Sequence, residues 1–406
     1  MTICIVDHYF SINKILFRAV ALWPYHRTRF NEFQWFFFLV ILITFILAEL
    51  TPFLTTECTP YMAIKIFSFA LSFTIFLIKF ISFRINADTI RYLLEKFQYI
   101  CDEITDEDEI AIIKEYGYEA KRFTLIVSVY GVSNAITSSV LPVVPRILRT
   151  FTSINVSDEH FMIHITREYF VDQEKYFYYI LLHLGASFLI GTIVIVGTGS
   201  LLFGCMKYMC GLFRIASYRI DQTMETPMFQ SAGLSKDCVT YKNIERAIDI
   251  HRKAIELCDI IRSNIVGTFF LLMLISVLCL SLNFYGLHQV IMLKSVIKEY
   301  IPLVSNIIGT LVYVFINSYV GQEITDHHNH MFISVYNAKW YRTPLYIQRI
   351  ILLLLQKGTG NYYVVFGGIF VLSMENAATV KVFHVMSCYE ITSNYNLPNS
   401  MHFTVK

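Results

Sequence analysis

The chain has 406 residues, 55% of them hydrophobic and only 16% charged, with a mean hydropathy of +0.52 and a formal charge of +2. Soluble domains carry about 25% charged residues, so this composition excludes an ordinary soluble enzyme or binding module. The near-neutral charge gives no support to a nucleic-acid partner, and none is expected. A wealth of Phe and Tyr suits lipid-facing helices and interfacial belts.

Residues 1–32 hold Lys14, Arg18, Arg27 and Arg29 around an amphipathic pattern of Ile12, Ile15, Leu16 and Val20. The segment predicts a short helix stopped at Trp23-Pro24 and reads as a cytoplasmic or interfacial arm. No secretory signal is expected, because a basic stretch, an apolar core and a small-residue cleavage site do not occur there in order. Apolar runs of bilayer-crossing length then place span 1 near 33–48, span 2 near 61–83 and span 3 near 123–148, the last with Gly131 and Pro142 inside it. Span 4, near 176–206, is rich in small residues (Gly185, Ala186, Gly191, Gly197, Gly204) that let helices approach closely. Span 5 lies near 265–287, span 6 near 301–319 and a less clean span 7 near 362–389. The expected fold is therefore all-α: a polytopic membrane protein with seven transmembrane helices.

Basic residues set its sidedness. The arm, the loop 84–122, the loop 207–262 and the segment 321–361 together hold 23 Lys and Arg, and the alternate loops hold 7. This split predicts a cytoplasmic N-terminus and an extracellular C-terminus, the reverse of a G-protein-coupled receptor. The sequon Asn155-Val156-Ser157 then falls outside, which makes Asn155 the expected glycosylation site. Below the membrane, Ile90, Leu93, Leu94 and Phe97 share a helix face, with Thr105 a candidate N-cap for a helix beginning at Asp106. Ile244, Ala247, Ile248, His251 and Ile255 share another. The chain thus divides into the arm, a six-helix bundle at 33–320 with cytoplasmic extensions at about 86–122 and 207–262, an anchor segment at 321–361, a last helix at 362–389 and a polar tail at 390–406.

No catalytic constellation stands out, and neither a cofactor nor a metal is expected. The nine cysteines show no metal or redox spacing. Glu323, His327, His328 and His330 form the sharpest polar cluster, read as a solvated helix face. Gly197-Thr198-Gly199-Ser200 lacks the Lys-Ser/Thr ending of a phosphate loop and serves packing. Glu375 and Lys381 lie in the last span, where they either face a pore or mark the point at which the helix leaves the lipid.

The C-terminal third resembles the insect odorant receptor family. The shared pattern is Tyr319, Gly321-Gln322-Glu323, Tyr336-Asn337 and Trp340-Tyr341, then Pro344 before the Leu-rich stretch 347–355, and finally Gly368, Phe370 and Ser373-Met374-Glu375. The resemblance implies an odour-specific subunit of a ligand-gated, non-selective cation channel, assembled with a common co-receptor as a heterotetramer. It also implies a plasma-membrane site on olfactory dendrites. The anchor where subunits meet would include Gly321, Glu323, Tyr336, Trp340 and Tyr341, and Lys381 would lie on the pore-lining helix. Family members end on a Ser-Tyr-Phe-like step and an apolar tail. Here Ser387-Cys388-Tyr389 precedes a polar tail that would put Glu390, Ser393 and Asn394 at the gate. Either the constriction is polar in this subunit or the tail comes from an altered terminal exon.

A volatile, apolar ligand needs aromatic walls and few polar groups. In the outer halves of the spans the candidates are Phe69 and Phe73 on span 2, Tyr130, Asn134 and Thr137 on span 3, and Phe177 and Phe188 on span 4. Phe284 and Tyr285 on span 5 and Tyr300 at the top of span 6 complete the set. Asn134 is the favoured polar contact, since a buried amide without a partner costs about 1–3 kcal/mol. A gustatory receptor of the same superfamily and a small-molecule transporter are the alternatives. The first expects a Thr-Tyr-Leu-like step and the second expects matched repeats; neither is seen.

Overall fold

The computed structural model describes residues 8–25, 28–55, 60–140, 143, 175–225, 234–292, 300–338, 340–358, 365–366, 370–371 and 375. Their order is α1 (Ser11–Ala19), α2 (Arg29–Leu50), α3 (Pro52–Thr55), α4 (Pro60–Ile85), α5 (Ala87–Glu103), α6 (Glu107–Val140), α7 (Phe177–Glu225), α8 (Leu234–Met292), α9 (Tyr300–Asn337) and α10 (Leu345–Gly358). A single 3₁₀ turn, Trp340–Arg342, joins α9 to α10, and two short strands follow, β1 (Val365–Phe366) and β2 (Phe370–Val371).

Among the described residues six helices are long and apolar enough to cross a bilayer, and the apolar stretch of α10 is too short. Four outrun the membrane. At 1.5 Å per residue, the 59 residues of α8 extend for about 88 Å against a hydrocarbon core of about 30 Å. So α6, α7, α8 and α9 each continue as one helix past the bilayer, in keeping with the helix start expected at Asp106 and the helical pattern from Ile244.

The central helix is α7, which packs on α6, α8, α9, α4, α1 and α2. Its segment 205–216 is buried almost throughout, which explains why that stretch is mostly apolar, with Lys207 the buried exception. Around it lie Leu93, Leu94, Phe97 and Ile100 of α5 and Ala247, Ala254, Leu257 and Ile261 of α8. The membrane-facing helices keep apolar side chains outward, as with Phe33 and Phe36 on α2.

The arm is seated in the bundle, with α1 packed against α7, and three expectations change. Phe17 is fully buried, and Asn13 Nδ2 donates to Ser200 Oγ at 2.7 Å. A Cβ on Gly204 would stand 2.6 Å from Phe10, so the small residues of this span serve the arm as well as neighbouring spans. The arm helix also ends at Ala19, ahead of Pro24, with Ala21 at φ 56° turning the chain.

The cap before α6 is Asp106, whose Oδ1 accepts from the backbone N–H groups of Asp108 (2.9 Å) and Glu109 (3.3 Å), and not Thr105. A carboxylate there also meets the positive end of the helix dipole. Finally, residues within the expected last helix pair as an antiparallel ladder, Val365 opposite Val371 and Phe366 opposite Phe370. β-branched and aromatic residues flank Gly367-Gly368, a hairpin signal, and each glycine disfavours helix by about 1 kcal/mol. The rest of that expected span lies outside the described residues, apart from Glu375, a single exposed residue in helical conformation.

Candidate functional site

Two sets of side chains meet on α4. On one side Phe73 is fully packed against Phe45 of α2 and Phe188 of α7, with ring centres 4.2 and 5.0 Å away, and against Phe76 at 5.3 Å. Leu184, Leu181 and Ile46 close this cluster. His183 stands at its edge, 5.7 Å from the Phe45 ring, with Nε2 3.1 Å from Thr44 Oγ1. A histidine at that depth is a polar handle in an otherwise apolar setting.

On the other side lies a buried polar node. Ser68 Oγ donates to Asn283 Oδ1 at 2.8 Å, and Asn306 Nδ2 donates to Ser72 Oγ at 3.0 Å. Asn283 Nδ2 donates to the Cys279 carbonyl at 2.7 Å. Ser68, Cys279 and Asn283 are each 1% exposed. The node ties α4, α8 and α9 together, and each amide finds a partner because an unpaired one would be expensive. Phe73 follows Ser72 directly in sequence, so one turn of α4 carries both the aromatic wall and the polar node.

Of the expected ligand residues, the structure brings Phe73 and Phe188 together. Phe69 is half-buried on α4 and Phe177 is buried at the start of α7. Tyr285 accepts from Gln289 Nε2 at 2.9 Å, and Tyr300 donates to the Val290 carbonyl at 3.2 Å. Tyr130 is 52% exposed and Thr137 is also on the outside of α6. Asn134 is half-buried and accepts locally, from Ser138 Oγ at 3.3 Å. The amides that link α4 to α8 and α9 are instead Asn283 and Asn306. The signal that singled out Asn134, an amide inside an apolar run, was equally present at both. Asn155, Lys381, Glu390, Ser393 and Asn394 lie outside the described residues.

Beyond the apolar stretches, the long helices are joined by charge. Lys207, 6% exposed, donates to Glu119 of α6 and Glu323 of α9, both at 2.6 Å. Tyr116 Oη is 2.6 Å from His327 Nε2. Cys210, Glu323 and His327 converge closely enough to suggest a metal site, but the Lys207 ammonium on Glu323 already supplies the positive charge a cation would bring. Arg219 grips Glu109 through two nitrogens, at 2.6 and 2.7 Å. Gly321 is buried, whereas Tyr336 (70% exposed), Tyr341 and Leu345 present a bare apolar face around α10, with Trp340 packed half-inside.

His251 of α8 and His328 of α9 lie with ring centres 5.1 Å apart between Phe213 and Phe332, and His251 Nε2 has no hydrogen-bond partner among the described residues. Burial, with His328 adding to it, pushes the His251 imidazole down to about 3 from its ordinary 6.5. The folded state therefore holds it neutral. Its stabilising contribution is complete above pH 6.5 and falls away as pH drops toward 3. Thermal melting of the solubilised protein is expected to drop on going from pH 7.5 to 5, with His251 contributing about 2 kcal/mol of the loss. His251→Phe should flatten that dependence.

A bundle of long apolar helices, with an aromatic cluster beside a buried polar node and an exposed apolar face on the extensions, defines a multi-pass membrane fold. The 7tm Odorant receptor family model matches residues 59–383, most of the chain. The chain belongs to that family. Two solved structures of the olfactory receptor OR5 from the insect Machilis hrabei share the fold. The eugenol complex superposes with a TM-score of 0.73 at 13% identity, covering 96% of this chain and all of that one. The other gives 0.74 at 12% identity, covering 95% and 99%. No curated protein sequence matches the chain.

Proposed function

We propose that this odorant receptor is the odour-specific subunit of a ligand-gated, non-selective cation channel, working in a heterotetramer with a common co-receptor in the plasma membrane of olfactory dendrites. The observation that carries this is the single turn of α4 that holds both Phe73 in its aromatic cluster and Ser72 in the polar node. A small volatile molecule with an aromatic ring and one hydroxyl, the class to which the relative's eugenol belongs, would part the Phe45, Phe73 and Phe188 rings. Its polar group would meet His183 or the Asn283–Asn306 node. The node spans α4, α8 and α9, so a ligand that favours one of its arrangements biases those helices.

The expected sidedness, N-terminus inside, puts this cluster in the outer half of the bilayer and α10 in the cytosol. There the bare face of Tyr336, Tyr341 and Leu345 would be covered by neighbouring subunits, since exposed apolar patches of this kind mark interaction sites. Lys381 would lie on the pore helix, Glu390, Ser393 and Asn394 near the gate, and Asn155 would carry glycan on the outer side.

The test is expression with a co-receptor and recording of cation current evoked by a panel of small phenols and alcohols. An evoked current is expected in the wild type. In Phe73→Leu and Phe188→Leu the half-maximal concentration should rise at least ten-fold at unchanged surface level. No current from a subunit shown at the surface, even with an apolar tail grafted after Tyr389, would sink the proposal. The gustatory alternative predicts current from tastants without the olfactory co-receptor.

A further inference from the structure

A cleft of about 700 Å³, counted to its open mouth, lies between α4, α5, α7 and α8, away from the aromatic cluster. On α7 its first lining residue, Thr198, is ten positions past Phe188, about 15 Å along the helix. Phe83, Leu93, Leu201, Leu202, Phe269 and Leu272 make its walls apolar.

Two donors that line it are uncommitted. Lys79 pairs with no carboxylate among the described residues, and its ammonium rests 4.9 Å from the centre of the Tyr313 ring. Thr268 accepts from Ser82 at 3.0 Å, while its own hydroxyl has no acceptor among the described residues. The remaining polar lining groups are engaged: Asn86 donates to the Ser82 carbonyl and Thr198 to the Val194 carbonyl. The hydroxyl of Tyr313, beneath the same ammonium, is buried without a partner among the described residues. A lysine within a transmembrane helix is expensive unless a counter-charge or water reaches it, and a wholly apolar occupant would leave it unmet.

We propose that this cleft binds a membrane amphiphile that joins an acyl chain to an anionic head, either a carboxylate or a phosphate. The chain lies along Phe83, Leu202 and Phe269, and the head is taken by Lys79 and the Thr268 hydroxyl. The proposal rests on the membrane fold and not on the odour response, so the two fail separately.

The test uses the full chain purified in neutral detergent and offered oleate, dioleoyl phosphatidic acid or oleyl alcohol, with bound lipid read by native mass spectrometry. At least one anionic lipid is expected to bind ten-fold or more tighter than oleyl alcohol. Whichever of oleate and phosphatidic acid prevails identifies the source of the head. Lys79→Gln should bring the anionic lipids down to the level of the alcohol, Lys79→Arg should restore them, and Leu202→Trp should exclude all three. Equal retention by wild type and Lys79→Gln, or undiminished binding by a Leu202→Trp protein that elutes as folded, overturns the proposal. If Leu202→Trp does not fold, the Lys79 pair of variants decides alone.

Discussion

Lys207→Met is expected to destabilise the protein by about 3 kcal/mol, the lower end for breaking a buried ion pair by removal of one partner. The ammonium is the shared counter-charge of Glu119 and Glu323, so its loss leaves two carboxylates facing each other across α6 and α9. Glu323 is only 14% exposed and suffers most, while Glu119, half in solvent, is partly relieved by water. Lys207 also lies within 6 Å of the ring centres of Tyr116, Phe203 and Tyr319, contacts a thioether cannot replace. A melting curve of the purified variant measures the loss. Adding Glu323→Gln should recover more than half of it, because the neutral amide needs no cation. No recovery in the double variant would mean that the loss does not run through Glu323.

Gly191→Val should be nearly as damaging, for a steric reason. A Cβ at that position would come within 2.1 Å of Phe76 Cδ2, and Phe76 is itself held edge-on by Phe73. The ring has to leave, disrupting the aromatic cluster at a cost of about 1–3 kcal/mol, as overpacking does. Phe76→Ala opens the space, so the double variant should be more stable than Gly191→Val alone. The cycle should show a coupling of about 1 kcal/mol or more, measured as melting shifts. Additive effects would place the fault in the α7 backbone instead of in the ring contact.

Much of this architecture was legible because hydropathy accumulates along a run and needs no knowledge of neighbours. Spans 1 to 6, the buried face of α5 and the stripe from Ile244 to Cys258 all follow from spacing alone. What depends on how separate helices are rotated was not legible. Asn283 and Asn306 looked no different from Asn134, since only the packing of α4 against α8 and α9 turns two of the three amides inward. His183 was passed over for the same reason, as its place beside Phe45 requires α2 and α7 to meet. The docking of α1 was hidden because charged Lys14 and Arg18 flank the buried Asn13 and Phe17, which makes the segment look like a surface helix. The ladder at 365–371 lost to overall apolarity, although Gly367-Gly368 marked it.

The seating of α1 has a mechanical consequence. Running unbroken from Phe177 to Glu225, α7 measures about 74 Å, and Ser200, gripped by Asn13, lies almost at its midpoint. A stiff rod held at its centre is a lever with a fulcrum. A tilt of about 3° there moves each end by roughly 2 Å, given the 1.5 Å rise, and the ends swing in opposite senses. Phe188 on one limb and Arg219 on the other are thereby joined without any relay of side chains, and loosening the pivot at Asn13 would change how far they travel together.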